Sequence, residues 1–103
     1  MSSEDKIKGL LGIAAKGRNI ASGAFQTEKA VKDGKAYLVI VSNDAGDNTK
    51  KDFNDMCAYR SVPIIFFSEK EKLGNCIGKE LRSCAAILDE GIAKSILKLY
   101  EEV

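Results

Sequence analysis

The sequence predicts an α/β fold, specifically a three-layer α/β/α sandwich around a small mixed sheet of about four strands. Strand-like and helix-like patterns alternate along the chain, which favours a sheet covered by helices on both faces. The segments 36–42 and 62–67 are almost wholly apolar and rich in β-branched residues, as expected of covered strands. With 103 residues, the chain is predicted to form a single domain over residues 1–103.

The first two helices are indicated by apolar residues at helical spacing. One is predicted over residues 4–16, with Ser3 as its N-cap and Gly17 as its C-terminal stop. The other is predicted over residues 25–33 and is ended by Gly34.

Four short segments have the character of strands. Residues 19–22 are predicted to form an edge strand, and residues 36–42 a central one. Residues 62–67 and 84–88 are predicted as two further buried strands. Pro63 stands at the entrance of its strand, where no ladder donor is needed.

The third and last helices have mainly polar outer faces. The third is predicted to begin with Asn48 or Thr49 as its cap and to end near Arg60. The last begins at Glu90. The inward face of the third helix is predicted to carry Phe53, Met56 and Cys57. The inward face of the last helix is predicted to carry Ile92, Ala93, Ile96, Leu97 and Tyr100.

A short fourth helix is predicted between the second and third buried strands. Ser68 and Glu71 have the spacing of a capping box at its start. Gly74 and Gly78 make it irregular and permit close packing, and residues 79–83 then form a loop.

Composition excludes several classes of function. The chain has no His, and Cys57, Cys76 and Cys84 lack the CxxC spacing of a zinc site. A nucleophile that depends on His is therefore impossible, which weighs against an enzyme, and no metal or cofactor is expected. No run of eighteen apolar residues and no export leader is present, so we expect a cytoplasmic protein without membrane contact.

Net charge alone does not favour a nucleic-acid partner, because the formal charge is only +1. Its distribution is uneven, since residues 1–51 contain nine basic and six acidic side chains and residues 52–103 contain seven and nine. A local positive patch in the first half is consistent with a compact site.

The segment from Gly23 to Lys29 is the strongest functional signal in the chain. A helix that begins here presents N–H groups without partners and the positive end of its dipole, which together favour an anion. Gly23 allows another backbone to approach, and Gln26 and Lys29 lie on one helical face with groups suited to base edges and phosphates. An ordinary helix start is the alternative interpretation.

Several motifs occur in a fixed order: the GxxQTxK helix start, LVIVSND, VPIIFF and LGxxxGxxxR before a short strand. In this order, from about residue 10 to residue 97, the chain closely resembles the ribosomal L7Ae family of kink-turn RNA-binding proteins, in particular its small bacterial members. The resemblance implies an α/β/α sandwich that binds a sharply bent RNA duplex beside tandem sheared G·A pairs. It also implies a loop that covers a nucleotide flipped out at the bend.

The resemblance assigns roles to the residues of the helix start. Gly23 matches the glycine that brings the backbone to the RNA, with Ala24 and Thr27 in the same motif, and Lys29 matches a lysine that contacts phosphate. Phe25-Gln26 stands where archaeal members have an Asn-Glu pair that hydrogen-bonds the G·A edges. Gln26 keeps an acceptor oxygen, whereas Phe25 can only stack on a base.

Two further segments are assigned by the same resemblance. Asn43 and Asp44 occupy the place of a Glu-Asp pair near the RNA, although an Asn-Asp turn is an equally good explanation. Arg82 and Ser83 fall in the loop beside the flipped nucleotide, and Ala85 and Ala86 align with the apolar residues of that region. For Arg82, a solvated charge is the alternative.

The sequence thus predicts a non-enzymatic, monomeric protein whose partner is a kinked, structured RNA, ribosomal or messenger. The alternative is a protein-interaction module on the same fold, associated with ribosomal or RNA-processing proteins. A small enzyme or ligand-binding domain is a third hypothesis, but no phosphate-loop motif supports it.

Overall fold

Helices and strands alternate along the chain in the computed structural model, which describes residues 2–103. The elements are α1 (Ser3–Lys16), β1 (Ile20–Ser22), α2 (Ala24–Lys32), β2 (Leu38–Val41), α3 (Asp47–Arg60), β3 (Ile64–Phe66), α4 (Lys70–Cys76), β4 (Cys84–Ile87) and α5 (Glu90–Tyr100). The predicted order of elements is therefore confirmed, with most boundaries displaced by one to three residues.

The four strands form one mixed sheet in the order β1-β4-β2-β3. Strand β4 is antiparallel to both of its neighbours, with Ile20 opposite Ile87 and Val39 opposite Ala86, whereas β2 and β3 are parallel. As a result β1, β2 and β3 all end at the edge of the sheet where β4 begins. We call this the carboxyl edge, and it brings residues from four distant parts of the sequence side by side.

Helices cover both faces of the sheet, so the predicted three-layer α/β/α sandwich is confirmed. Because successive side chains of a strand point to opposite faces, Leu38 and Ile40 pack against α1, α4 and α5, and Val39 and Val41 pack against α2 and α3. The largest fully buried side chains include members of both layers. Examples from the helices are Ile7, Leu11, Leu73 and Ile96 on the first face, and Val31 and Cys57 on the second.

Of the two strands at the edges of the sheet, one was predicted to lie there and the other was not. β1 is the edge strand that the sequence predicts, but β3, predicted as a buried strand, is the other edge. Ile64 and Phe66 are only half-buried. The β2 ladder uses the carbonyl of Pro63 and the N–H of Phe67, so the Phe66 carbonyl faces outward, where it accepts a 3.2 Å hydrogen bond from the Tyr100 hydroxyl of α5.

The predicted caps of two helices are wrong. The N-cap of α1 is Ser2, whose hydroxyl accepts from the Asp5 N–H at 3.1 Å, and not Ser3, which is the first helical residue. Helix α3 begins after Gly46, so neither Asn48 nor Thr49 caps it.

The predicted capping box at Ser68 and Glu71 is also wrong. Ser68 has a φ of +64°, and its carbonyl accepts from the Asn43 N–H at 2.8 Å, so it belongs to the turn at the carboxyl edge. Helix α4 begins at Lys70, whose N–H donates to Oδ1 of Asp44 at 2.9 Å. A side chain from a distant loop thus replaces the local cap. No helix within residues 2–103 has the length and apolar character needed to span a membrane.

Candidate nucleic-acid interface

A concave surface of about 430 Å³ lies at the carboxyl edge, between the start of α2 and the loop that precedes β4. We call it the α2 concavity. Its lining residues are Ser22, Gly23, Ala24, Phe25, Gln26, Leu81, Arg82 and Ser83. Six of these eight residues are among those that the sequence predicts as a binding site, and the structure brings them together from two segments almost sixty residues apart.

Gly23 makes the turn from β1 into α2. Its φ of +91° and ψ of 158° lie in a region that only glycine occupies at low cost. Its N–H donates to the carbonyl of Cys84 at 2.9 Å, which fixes the start of α2 to the start of β4. Apart from its neighbours in the chain, no atom of residues 2–103 lies within 4 Å of the position a Cβ would take, so the space in front of Gly23 is open to a ligand.

The N-terminus of α2 is without a cap of its own. Among the described residues, 2–103, no side chain caps this end by a hydrogen bond, and the first turn contains no acidic residue. The first N–H groups of the helix have no intrahelical acceptor, and the helix dipole adds partial positive charge there. This end of α2 therefore offers donors to an acceptor that comes from outside the chain.

Arg82 lies across the concavity from α2 and is held by three hydrogen bonds. Its Nε donates to the Ser22 hydroxyl at 3.2 Å, and its Nη1 donates to the carbonyl of Leu81 at 2.7 Å. Its backbone N–H donates to the carbonyl of Lys70 at 3.1 Å. A guanidinium has five N–H donors, so three remain without a partner among residues 2–103.

Gly74 positions the loop that carries Arg82. A Cβ at Gly74 would overlap the backbone carbonyl group of Glu80, so only glycine allows this approach. The Lys79 N–H also donates to the carbonyl of Gly74 at 2.8 Å. The predicted close packing of Gly74 is thus present, and it turns the chain after α4 back toward α2.

Two apolar side chains face solvent at the α2 concavity. Phe25 exposes 73% of its surface and Leu81 exposes 60%. Phe25 lies in the first turn of α2, and Leu81 lies next to Arg82 on the facing loop. The concavity therefore combines apolar surface with unpaired hydrogen-bond donors.

Gln26 and Lys29 share a second, smaller hollow beside the α2 concavity, as expected from their predicted common face. This hollow of about 190 Å³ also contains Asp33 and Lys35. Lys29 Nζ lies 2.8 Å from Oδ2 of Asp33, and this hydrogen bond raises the pKa of Lys29 and lowers that of Asp33. Gln26 lines both hollows and thus connects Lys29 with the α2 concavity.

Asn43 and Asp44 lie at the carboxyl edge but do not line the α2 concavity. The Ser42 N–H donates to the carbonyl of Ser83 at 2.8 Å, which puts Asn43 next to the Arg82 loop, in a separate hollow with Ser68. Asp44 has a structural contact instead: although partial desolvation opposes the shift, the hydrogen bond from the Lys70 N–H keeps the pKa of Asp44 below its usual value.

Three predicted residues have no accessible side-chain surface. Thr27, Ala85 and Ala86 are each 0% exposed, Thr27 under the first turn of α2 and the two alanines within β4. They support the site from below and cannot touch a ligand in this structure, so the candidate interface does not include their side chains. The burial of Ala85 and Ala86 follows from the central position of β4, which a single sequence does not reveal, and Thr27 is one of the buried residues of α2.

Two lining residues are absent from the sequence prediction. Ser22 ends β1 and accepts from Arg82, and Leu81 precedes Arg82 in a loop that the prediction included only in part. An apolar residue between Glu80 and Arg82 in a polar loop was the one available signal for Leu81. Within residues 2–103, no group of three or more His, Cys, Asp or Glu side chains could hold a metal ion.

The fold is that of a class of small α/β/α proteins for which structures are known. The chain superimposes on a protein of unknown function from Bacillus halodurans C with a TM-score of 0.90, at 36% identity, covering 93% of this chain and 97% of the other. It also superimposes on the Giardia lamblia 15.5kD RNA binding protein with a TM-score of 0.81, at 25% identity, covering 98% and 87%.

Residues 5–97 match the model of the ribosomal protein L7Ae/L30e/S12e/Gadd45 family, and the chain belongs to this family. The RNA-binding protein YlxQ of Bacillus subtilis (strain 168) is 36% identical over 92 residues, which are 89% of this chain and 92% of that protein. The RNA-binding protein YlxQ of Enterococcus faecium is 32% identical over 99 residues, covering 96% and 95%. The resemblance described from the motifs is thereby confirmed.

Proposed function

We propose that this chain is a non-enzymatic RNA-binding protein that recognises and stabilises a kink-turn-like RNA element with the α2 concavity and its flanking residues. The observation that carries the proposal is that the uncapped start of α2 and the Arg82 guanidinium open onto the same concave surface. Membership of the L7Ae family and the RNA-binding relatives support RNA as the partner.

In this proposal each part of the surface meets a different part of the RNA. The free N–H groups of α2 and the unpaired N–H groups of Arg82 donate hydrogen bonds to phosphate oxygens, which are negatively charged. Lys29, in the smaller hollow that it shares with Gln26, adds a further phosphate contact. Gln26 and Asn43, both exposed, have amide groups that donate to and accept from base edges.

The surface is largely preformed, because backbone hydrogen bonds from Gly23 to Cys84 and from Ser42 to Ser83 fix its segments to the sheet. A preformed surface loses little conformational freedom on binding. In this proposal the concave surface fits the bent conformation of the RNA better than the straight one, so binding shifts the population of the RNA toward the bend by that difference in affinity. The protein binds as a monomer in this proposal.

The test is a gel shift with a kink-turn RNA hairpin and with a fully paired hairpin of the same length. The wild-type protein is expected to prefer the kinked RNA, and Gln26→Ala and Lys29→Ala are expected to weaken binding. For Lys29→Ala, one lost phosphate contact also lowers the salt dependence of the affinity. Circular dichroism checks that each variant is folded.

Lys51→Ala is the matched control, since Lys51 pairs with Asp55 four residues later on α3, away from the concavity. It should bind RNA like the wild type. Equal affinity of the wild type for kinked and paired RNA, or unchanged binding by both site variants, would contradict the proposal. Capture of a ribosomal protein in place of RNA would favour the interaction module.

A further inference from the structure

Phe25 is an exposed aromatic side chain inside a concave surface. It exposes 73% of its area, and Leu81, on the opposite side of the α2 concavity, exposes 60%. Single exposed apolar residues are common on protein surfaces and need no partner. Here two of them line one hollow together with a guanidinium that is fixed by hydrogen bonds.

The arrangement suits one kind of occupant. An apolar protein side chain on Phe25 would remove water from the three free donors of Arg82 without supplying acceptors, which is unfavourable. A nucleotide supplies both parts, because its base is a flat ring that stacks on an aromatic side chain and its phosphate accepts from a guanidinium. The surface therefore favours a nucleotide over an apolar peptide.

We propose that Phe25 is the stacking platform for one unpaired nucleobase of the bound RNA, with Leu81 against the same base and Arg82 on its phosphate. This inference rests on the proposed function and specifies how that site recognises RNA. A phenyl ring has no group that reads a base edge, whereas every base has a face that stacks. Phe25 therefore makes the protein select an unpaired base at this point without selecting its identity.

The experiment uses kink-turn RNAs in which the fluorescent base 2-aminopurine replaces each unpaired base in turn. At one position, wild-type protein should change the fluorescence through stacking, and Phe25→Ala should abolish that change. Phe25→Ala should also weaken binding by about 5- to 150-fold, the range that corresponds to about 1–3 kcal/mol for one base stack. Phe25→Trp keeps an aromatic face and should retain both the signal and the affinity.

Tyr59→Ala is the matched control, since Tyr59 is an aromatic residue on α3 that is 84% exposed and lies outside the concavity. It should leave the affinity and the fluorescence unchanged. Replacing the stacked base by each of the other three should alter wild-type affinity by less than about threefold, because stacking tolerates any base.

Three results would overturn the inference: no position with a Phe25-dependent signal, equal binding by Phe25→Ala, or strong dependence on base identity. If Phe25→Ala binds RNA normally but loses self-association in sedimentation, the surface joins two copies of this chain and the inference is wrong. Each of these four results presupposes that the wild-type protein binds kinked RNA, so each would refute the inference and leave the proposed function standing. Absence of any RNA binding by the wild type is different, because it refutes the proposed function itself.

Discussion

The Nε of Arg82 donates a hydrogen bond of 3.2 Å to the hydroxyl of Ser22. These residues are sixty positions apart in sequence, and the bond ties the loop before β4 to the end of β1. It fixes the direction of the guanidinium toward the α2 concavity. The orientation of a cationic side chain in the proposed interface therefore depends on a small polar residue that no motif includes.

Ser22→Ala is expected to weaken RNA binding through Arg82. The variant loses one hydrogen bond to a charged group, and the guanidinium is then free to move. The binding free energy should weaken by no more than such a bond contributes, about 1.5–3 kcal/mol. Arg82→Ala should weaken binding more. Fluorescence anisotropy on the two single variants and the double variant forms a double-mutant cycle. Ser22→Ala should have no further effect when Arg82 is already absent, and additive effects would show that Ser22 acts independently.

Gly74→Ala is expected to destabilise the fold and displace the Arg82 loop. The new Cβ would overlap the Glu80 carbonyl group, and overpacking of this kind costs about 1–3 kcal/mol. Urea unfolding measures the change. Gly9→Ala is the control: Gly9 lies on the exposed face of α1, and apart from its own helix backbone no atom of residues 2–103 lies within 4 Å of an added Cβ, so the substitution should stabilise the fold by about 0.5–1 kcal/mol. Equal effects at both sites would contradict the close approach.

Asp33→Asn is expected to strengthen RNA binding. The Asp33 carboxylate lies 2.8 Å from Lys29 Nζ and competes with a phosphate for it. Removing the negative charge leaves Lys29 available, so affinity should rise at low salt and the gain should shrink at high salt. Asp55→Asn, which breaks the comparable pair with Lys51 on α3, should leave affinity unchanged. A similar gain from both variants would indicate a general charge effect.

Stability is expected to fall at alkaline pH because of Cys57. Burial raises the pKa of its thiol from 9.0 to about 11. Since the folded pKa is the higher one, the buried neutral thiol stabilises the fold fully below pH 9, and this contribution is lost as the pH rises from about 9 to about 11. Urea unfolding of the wild type and Cys57→Ala at pH 8 and 10.5 tests this, and the wild type should lose more stability. Parallel losses would show that Cys57 does not titrate in this range.

Sequence patterns predicted the elements well, because periodicity reports which residues face the core. The apolar spacing from Ile7 to Ala14 predicted α1, and the apolar run of β2 predicted an inner strand. The same patterns do not report strand order. Only the sheet shows that β4 lies between β1 and β2, which buries Ala85 and Ala86, and that β3 is at the edge.

The helix starts and the interface depended more on tertiary contacts. Ser68 has the spacing of a cap, but its carbonyl accepts from Asn43 and the side chain of Asp44 takes its place at α4. The motifs at Gly23 and Arg82 predicted most of the concavity, since each is local. Ser22 and Leu81 contribute through partners across the fold, and spacing along the chain does not reveal such partners.

The hydrogen bond from the Tyr100 hydroxyl to the outward carbonyl of Phe66 affects how copies of this protein can associate at high concentration. An open sheet edge is a template onto which another extended chain can add. Here the Tyr100 hydroxyl occupies one of the carbonyl acceptors that an incoming strand would need. The last turn of the last helix thus blocks one pairing position on this edge, and we expect a chain shortened before Tyr100 to aggregate more readily, which light scattering at high concentration would measure.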